Sequence, residues 1–323
     1  MAVKITKPAR RRAQFHKLPV TAVDEVAEDA VAVTFGVPAE LVEQFGFRPG
    51  QHVTLRRAVA AEGLSAAGGG AAVDAEASPV AGAGATRGED VRRSYSICST
   101  PARLAGTGEF RIGVRLVPGG AFSAYLHEQL KPGDLVEVMP PLGHFTTAFN
   151  PARSRHYAAI VAGSGITPVL SLIAAALQTE PRSNFTLLYG NRNARSVMFT
   201  EELADLKDRY PERLNLAYVL SREPQEAELF SGRLDPARLS RIFDTVLPPG
   251  EVDEWFLCGP QGMVEGAQRV LAERAVPSER VHVELFFAEG EDADRRTAAA
   301  AAPEKPDPAD SAQVTIVLDG RAS

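Results

Sequence analysis

The stretch AAIVAGSGITP, residues 158–168, places a continuous run of small and branched apolar residues directly before a glycine-rich turn. Such a run is typical of a strand that is buried on both faces of a parallel sheet. Gly163 and Gly165 allow a tight turn and the close approach of an anion to the backbone. Thr167 is predicted to cap a helix that begins at Pro168. The free N–H groups in the first turn of this helix would attract a pyrophosphate. The pattern indicates a nucleotide-binding unit, with a plain strand–helix turn as the alternative.

Strands and helices alternate on the C-terminal side of this turn. Apolar runs predict strands at Ala158–Ala162, Phe185–Tyr189, Leu214–Leu220 and Glu254–Cys258. Amphipathic or apolar stretches predict helices at Val169–Leu177, at Glu201–Arg209 and around Pro236–Phe243. This alternation is typical of a doubly wound parallel sheet, so we predict an α/β domain over residues 151–288.

The N-terminal half has a different pattern of apolar residues. Short alternating runs within residues 15–57 and at Tyr95–Ile97, Phe110–Leu116 and Leu135–Val138 predict strands, and Ala121–Leu130 predicts one helix. Many short strands with a single helix favour an antiparallel β-barrel, which we assign to residues 15–150. Residues 58–90 are rich in Ala, Gly, Ser and Pro and predict a flexible insertion.

Composition narrows the class of protein. The formal net charge of −6 does not favour a nucleic-acid partner. No apolar run is long enough to span a bilayer, so we expect no membrane partner and a cytoplasmic location. The five basic residues between Lys4 and Arg12 predict a disordered tail over residues 1–14, with a phosphate-binding arm or a transit peptide as alternatives. The charged, proline-rich residues 289–312 predict a linker.

Arginines follow several predicted strands. Ser221 and Arg222 come directly after the strand Leu214–Leu220, where a hydroxyl and a guanidinium can grip a phosphate. Arg192 and Arg233 raise the same possibility. A solvated loop arginine is the alternative at each position.

The predicted barrel contains two further candidate anion sites. Arg93 and Tyr95 share one face of a predicted strand and Ser96 lies on the other face. This pairing favours a planar anionic ligand, with a tyrosine packed under an arginine stem as the alternative. The turn Gly120–Ser123 opens the predicted helix and offers N–H groups to an anion, unless it is an ordinary capped turn.

In their order along the chain, these motifs resemble those of the ferredoxin–NADP reductase superfamily over residues 15–288. The resembling motifs are Arg93–Ser96, Gly120–Ser123, Gly163–Pro168, Ser221–Arg222, Cys258–Pro260 and Glu284–Phe286. The resemblance implies a two-domain ferredoxin reductase-like fold, in which the antiparallel β-barrel binds FAD and the α/β doubly wound parallel sheet binds NADP. It also implies an NAD(P)H-dependent flavin oxidoreductase that uses NADPH.

The resemblance assigns roles to single residues as well. It implies that Ser96, Cys258 and Glu284 are catalytic, around the place where flavin and nicotinamide meet. For FAD it implies contacts by Arg93, Tyr95, Ser96, Gly120, Ser123 and Phe286. For NADP it implies contacts by Gly163, Gly165, Thr167, Pro168, Arg192, Ser221, Arg222, Arg233 and Gly259. Because the chain has only two cysteines, Cys98 and Cys258, we predict no metal ligand in it.

Motifs at 189–193, 196–199 and 232–235 are similar to the reductase components of multicomponent oxygenases, with the phenylacetyl-CoA epoxidase reductases as the most similar group. An oxygenase component is therefore the implied electron acceptor. A reductase of a free ferredoxin or a haem protein is one alternative. A nucleotide-binding module without turnover is another.

The stretch QVTIVLDG, residues 313–320, predicts a strand followed by a hairpin turn. It resembles the first strand of the plant-type ferredoxin domain that those oxygenase reductases carry, so we assign residues 313–323 to an incomplete domain of this type. Its [2Fe–2S] cluster needs four cysteines, three of them in C-x₄-C-x₂-C spacing. This chain has only Cys98 and Cys258. We therefore expect a cluster only in a chain that extends beyond Ser323.

Overall fold

The computed structural model describes residues 14–59, 89–286, 317–318 and 321–322. The predicted basic tail before residue 14 and the predicted linker at 289–312 lie outside the described residues. Contacts between residues divide the chain into two units, with the division after Phe286.

Six antiparallel strands form the first sheet, in the spatial order β4-β3-β6-β1-β2-β5. The strands are β1 (His16–Ala27), β2 (Ala30–Gly36), β3 (His52–Val59), β4 (Glu89–Ser96), β5 (Glu109–Arg115) and β6 (Leu135–Leu142), and the helices are α1 (Pro101–Thr107) and α2 (Ala121–Glu128). A bridge between Ile97 and Ile112 joins the two ends of the sheet. Fully buried side chains such as Phe35, Leu55 and Phe110 fill its interior. The predicted antiparallel barrel is confirmed.

The boundaries of the predicted insertion are wrong. β3 and β4 pair without interruption from His52 and Ser96 as far as Val59 and Glu89. Ala58 and Asp90, which the composition assigned to the insertion, therefore lie in paired strands, because the ladder of backbone hydrogen bonds continues through them. Residues 60–88 lie outside the described part of the chain.

Helix α1 was not predicted. Its N-cap residue is Thr100, whose Oγ1 accepts a hydrogen bond from the backbone N–H of Arg103 at 3.4 Å, and Pro101 begins the helix. This is a cap followed by proline at the first helical position, a signal that was present in the sequence.

A five-stranded parallel sheet follows, in the spatial order β11-β10-β7-β8-β9. The strands are β7 (His156–Ala162), β8 (Asn184–Asn191), β9 (Leu214–Leu220), β10 (Glu254–Gly259) and β11 (Val281–Leu285), and the helices are α3 (Ile166–Thr179), α4 (Thr200–Arg209), α5 (Pro236–Thr245) and α6 (Gln261–Glu273). One hydrophobic cluster joins the sheet to α3 and α4, and another joins it to α5 and α6. Helices thus cover both faces, and the predicted doubly wound domain is confirmed.

The helix after β7 begins earlier than predicted. Gly163–Gly165 forms a turn of 3₁₀ helix, and α3 starts at Ile166. The predicted cap at Thr167 is therefore wrong, and its Oγ1 instead donates to the carbonyl oxygen of Ser164 at 3.0 Å. Pro168 still lies in the first turn, where its missing N–H costs little. The glycines allow this early start, because Gly163 turns the chain with a φ of +56°.

Near the C-terminus, β12 (Val317–Leu318) pairs antiparallel with β13 (Arg321–Ala322). This pairing agrees with the predicted hairpin turn at Asp319–Gly320, whose own residues lie outside the description. The assignment of this segment to a ferredoxin domain stays a prediction.

Gly165 is predicted to be essential for the packing of the turn after β7 against β10. A Cβ atom at Gly165 would lie 2.3 Å from the carbonyl oxygen of Cys258, a backbone atom that cannot rotate away. We expect Gly165→Ala to lower the free energy of unfolding by about 1–3 kcal/mol, measured by urea denaturation. Gly262→Ala is the control, since a Cβ at that helical position meets no atom within 4 Å. Equal stability of Gly165→Ala and the wild type would contradict this packing.

Candidate active site

The carboxyl ends of β7 and β10 meet at the centre of the parallel sheet. The chain continues from β7 towards β8 on one side and from β10 towards β11 on the other. In open α/β sheets the crevice at such a switch point binds nucleotides. Gly163 and Gly165 leave β7 at this point, and Gly259 leaves β10 with a φ of +150°. The structure therefore brings the three predicted glycines to one crevice.

The three predicted catalytic residues come together where the barrel meets this sheet. Cys258 on β10 and Glu284 on β11 are register partners in the parallel ladder. Ser96, the last residue of β4, donates from Oγ to Glu284 Oε2 at 3.3 Å. Ser96 and Glu284 are 188 positions apart in sequence. Only the packing of the two domains makes this contact.

Burial controls the charge of this cluster. It raises the pKa of Glu284 to about 7, and the hydrogen bond from Ser96 opposes this rise in part. Burial, with a further contribution from Glu284, raises the pKa of Cys258 well above its ordinary value. The Cys258 thiol therefore stays protonated, whereas the Glu284 carboxyl can take up or release a proton near neutral pH.

His52 belongs to the cluster although sequence reasoning missed it. Its Nδ1 lies 3.9 Å from Glu284 Oε1, and its register partner on β4 is Ser96. Burial lowers the pKa of His52, so the neutral imidazole is favoured. Gly143 passes close over the ring, since a Cβ at that glycine would lie 3.0 Å from His52 Nδ1. A histidine in the strand that pairs with the predicted Ser96 strand was the available signal.

Aromatic rings line the barrel beside Ser96. The rings of Tyr95 and Phe122 are stacked with centroids 6.2 Å apart. Tyr125 packs edge-on against Phe122, and the guanidinium of Arg57 lies 3.7 Å from the centroid of the Tyr125 ring. Arg93 is exposed and donates from Nη1 to the carbonyl oxygen of Arg92 at 2.8 Å. A cationic and aromatic surface of this kind fits a flavin nucleotide, which combines planar rings with a pyrophosphate.

The turn before α2 is built by Ser123. Its Oγ donates to the carbonyl oxygen of Gly120 at 3.0 Å and accepts from the N–H of Val117 at 3.2 Å. The N–H of Gly120 is used as well, since it donates to the carbonyl oxygen of Val117 at 2.9 Å. The predicted contacts of Gly120 and Ser123 with FAD stay predictions, while the first turn of α2 remains compatible with a pyrophosphate.

At the carboxyl ends of β8 and β9 the structure gathers four of the residues predicted to contact NADP: Arg192, Ser221, Arg222 and Arg233. The N–H of Ser221 donates to Asn191 O at 2.9 Å, and the N–H of Arg222 donates to Arg192 O at 2.7 Å. The loop that carries Arg233 returns to the carboxyl end of β9, because the N–H of the neighbouring Gly232 donates to the carbonyl oxygen of Leu220 at 2.7 Å. The side chains of Arg222 and Arg233 are exposed at this edge.

Asn191 is a further candidate that the residue-by-residue prediction did not select. It is the last residue of β8 and only 8% exposed. Among the described residues, neither polar atom of its side-chain amide has a hydrogen-bond partner. A buried, unsatisfied amide at the nucleotide edge of the sheet fits a polar ligand such as NAD(P).

The contacts of two arginines, Arg192 and Arg115, differ from those that the sequence predicted. Arg192 donates from Nη2 to Asp29 Oδ2 of the barrel at 2.6 Å, so the structure uses it in an ion pair, and its contact with NADP stays a prediction. Arg115 was missed, because it reads as an ordinary polar position of β5. A Cβ at Gly163 would lie 3.6 Å from Arg115 Nη1. The barrel thereby places a cation at the glycine turn of the other domain.

Phe286 closes the site from the C-terminal side. Its N–H donates to the carbonyl oxygen of Gly259 at 3.1 Å. Its partly buried ring packs against the hydrophobic cluster that contains Cys258. The residue therefore lies beside the cluster of predicted catalytic residues, while its predicted contact with FAD stays a prediction.

Comparisons with known proteins agree with this geometry. Residues 80–147 match the oxidoreductase FAD-binding domain, and residues 159–269 match the oxidoreductase NAD-binding domain. The chain is 39% identical over 307 residues to one of the subunits of 1,2-phenylacetyl-CoA epoxidase from Escherichia coli, covering 95% of this chain and 75% of that protein. It is 32% identical to the ferredoxin reductase component of 3-ketosteroid-9-alpha-monooxygenase of Rhodococcus rhodochrous, covering 94% and 74%.

Among solved structures, the flavohem-like FAD/NAD binding domain of nitric oxide dioxygenase from Vibrio cholerae superposes with a TM-score of 0.62. The match covers 84% of this chain and 98% of that one at 23% identity, which supports the fold alone. The chain belongs to the ferredoxin reductase family of FAD- and NAD-binding oxidoreductases. It is an NAD(P)H-dependent flavin oxidoreductase, and its relatives include reductase components of oxygenases.

In residues 14–59 and 89–286 no helix is long and apolar enough to cross a membrane. Within the same part of the chain, no group of three or more His, Cys, Asp or Glu side chains could hold a metal ion.

The raised pKa of Glu284 predicts a change of stability with pH. The folded-state pKa of about 7 exceeds the ordinary value of 4.5, so the contribution of Glu284 to stability is complete below the ordinary value and is lost as pH rises through the folded value. Glu284→Gln is neutral at every pH. Its free energy of unfolding relative to the wild type should rise by roughly 2–3 kcal/mol between about pH 5 and about pH 8. Urea unfolding at both pH values measures this difference in the free energy of unfolding. If the difference is the same at both pH values, burial does not raise the pKa of Glu284.

Proposed function

We propose that the chain is the reductase component of a multicomponent oxygenase, which takes electrons from NADPH and passes them through FAD to a separate oxygenase protein. The observation that carries the proposal is the contact of Ser96 with Glu284, since it joins the candidate flavin barrel to the candidate nucleotide crevice. The relatives support the identity of the acceptor, because two of them are named as parts of an epoxidase and a monooxygenase.

Binding and orientation are the first task of the protein. Arg93, Arg57 and the first turn of α2 supply positive charge and N–H groups for the FAD pyrophosphate, and Tyr95 supplies a flat apolar surface. Bound FAD would supply the capacity to take a hydride from NADPH and to pass on its two electrons one at a time. The protein holds the two cofactors in the geometry that this transfer requires.

Proton handling is the second task. The Glu284 carboxyl, with a pKa of about 7, holds or releases a proton at Oε2, where Ser96 Oγ lies at 3.3 Å. His52 Nδ1, at 3.9 Å from Glu284 Oε1, lies on the other side of the carboxyl and is partly open to solvent. We assign to these three side chains a proton path between the buried site and water.

Exclusion of water is the third task. Cys258 is fully buried and its thiol stays protonated, so it adds no charge to the packed layer beneath the crevice. Phe286 packs against the same cluster and covers it from the C-terminal side. Together they keep the crevice apolar next to the Glu284 carboxyl.

The hydroxyl and guanidinium groups beyond β9 support NADPH as the preferred nucleotide. Ser221 and Arg222 lie at the carboxyl end of the edge strand β9, which β8 separates from β7 and the crevice, and the loop of Arg233 is tied to the same end of β9. A 2′-phosphate has two negative charges to offer these groups, whereas NADH has a hydroxyl there.

An iron–sulfur cluster belongs to the proposal only for a chain that extends beyond Ser323. Cys98 and Cys258 are both buried, Cys98 next to the barrel strands and Cys258 in the parallel sheet. Burial raises the pKa of Cys98 to about 12, so both thiols resist the deprotonation that a cluster ligand needs. In such a longer chain, the cluster would relay electrons from FAD to the oxygenase.

The experiment that tests the function measures cofactor content and electron transfer together. The purified chain should contain one non-covalent FAD, identified by acid release and chromatography, and NADPH should reduce that flavin and drive ferricyanide reduction. A ferredoxin or haem protein reduced faster than a phenylacetyl-CoA epoxidase oxygenase component would favour the alternative reductase. Absence of flavin reduction by either nucleotide would leave a binding module without turnover.

Arg222→Ala tests the choice of nucleotide. We expect the KM for NADPH to rise by about tenfold, since one charge-assisted hydrogen bond is worth about that much in binding, and the KM for NADH to change far less. Steady-state kinetics with both nucleotides measures the ratio. Arg269→Ala is the matched control, because Arg269 is an exposed arginine on α6. Equal losses for NADPH and NADH would show that Arg222 does not read the 2′-phosphate.

A further inference from the structure

The hairpin of β1 and β2 reaches from the barrel to the α/β domain. The N–H of Phe199, just before α4, donates to the carbonyl oxygen of Val26 at 3.1 Å. The N–H of Glu28 donates to the carbonyl oxygen of Arg195 at 3.3 Å. These two backbone hydrogen bonds tie the hairpin end to the loop between β8 and α4.

Asp29 adds a charged connection at the same hairpin end. Its Oδ2 accepts from Arg192 Nη2 at 2.6 Å, and its Oδ1 lies 3.5 Å from Arg115 Nε. Arg115 is itself on the barrel, and its Nη2 donates to the carbonyl oxygen of Ser196 in the α/β domain. The Asp29 and Arg115 side chains are 21% and 17% exposed and that of Arg192 is 49% exposed, so water screens the pair with Arg192 more than the pair with Arg115. One carboxylate thus connects arginines of both domains.

An apolar joint lies next to this charged connection. Phe199 has a φ of +61°, an uncommon backbone conformation for a bulky residue, and its ring packs on Gly113 of β5. A Cβ at Gly113 would lie 2.5 Å from Thr167 Cγ2 and 2.9 Å from Phe199 Cζ. The two domains are therefore closely packed at Gly113. A small displacement of the hairpin end at Asp29 is transmitted to α3, whose first turn borders the nucleotide crevice.

We propose that Asp29 is a positioning residue: by holding Arg192 and Arg115 together it sets the alignment of the nucleotide crevice over the flavin barrel. The inference rests on the proposed function, which it deepens. Since hydride transfer falls steeply with misplacement of the two rings, Asp29 controls the rate of flavin reduction. It does so equally for NADPH and NADH, because it touches neither nucleotide.

This role separates Arg192 from its neighbour Arg222. The two residues are joined through the backbone, with the N–H of Arg222 on the carbonyl oxygen of Arg192. Their side chains differ, since the guanidinium of Arg192 is bound by Asp29 and that of Arg222 is exposed. Arg222 is thus available for a phosphate, whereas Arg192 connects the domains.

The test uses Asp29→Asn in the full FAD-loaded chain. We expect the limiting rate of flavin reduction, measured by stopped flow, to fall by about tenfold with NADPH and with NADH alike, with little change in the Kd of either nucleotide. Asp29→Glu, which keeps the charge, should recover most of the rate. Asp244→Asn is the control, because Asp244 forms an ion pair of 2.8 Å with Arg274 inside the α/β domain and should leave the rate unchanged.

Hydrogen exchange provides a readout that does not depend on turnover. Amides in peptides that contain Glu28 and Phe199 should exchange about tenfold faster in Asp29→Asn, because one charge-assisted bond shifts an opening equilibrium by about that factor. Arg192→Gln, which leaves Asp29 with Arg115, should give the same change if Asp29→Asn does not fold.

The outcomes separate this inference from the proposed function. Wild-type exchange and wild-type reduction rates in Asp29→Asn would overturn the positioning role. A rise in the Kd of NADPH alone would also overturn it, since Arg192 would then act on the 2′-phosphate. If NADPH cannot reduce the flavin of the wild-type chain, the proposed function is wrong. The hydrogen-exchange data would still decide whether Asp29 joins the two domains.

Discussion

The hydrogen bond from Ser96 to Glu284 joins the last residue of a barrel strand to the edge strand of the parallel sheet. Neither domain contains this site alone, because Ser96 and His52 come from the barrel and Glu284 and Cys258 from the sheet. Packing between the domains therefore has to be precise. It is fixed by several contacts of different kinds, which include the bond from Ser171 Oγ to Ser99 O at 2.6 Å and the ion pair of Arg111 with Glu202 at 3.2 Å.

The same packing divides the site electrostatically. At the joint between the domains, burial keeps the Cys258 thiol protonated and brings the pKa of Glu284 to about 7, so that charge is scarce next to the reacting groups. At the outer edge of the sheet, the side chains of Arg222 and Arg233 are exposed to water. A nucleotide with an anionic end and a reactive ring matches this division, because its phosphate would meet the arginines while its ring enters the apolar joint.

The two cofactor-binding domains differ in how much of each could be predicted from the local sequence. Apolar run, glycine turn and helix follow one another at residues 158–177, so the crevice at β7 was predictable from local chemistry. The predicted cap at Thr167 failed, because the glycines already allow helical turns from Gly163 onward. On the barrel side, Arg93–Ser96 and Gly120–Ser123 were recognisable as motifs, but the internal use of the Ser123 hydroxyl depends on the fold of its turn.

The sequence by itself determined the two-domain class, most of the strands and helices, and most of the candidate residues, because periodicity, glycines and caps act over a few neighbouring positions. Only the tertiary structure decided which residues meet. His52 joins Glu284, Arg115 reaches the Gly163 turn, and Asp29 binds Arg192, each across a large separation in sequence. Tertiary structure also decided the charge states, since the raised pKa of Glu284 comes from burial between two domains, and no local pattern of residues encodes how much water that joint excludes.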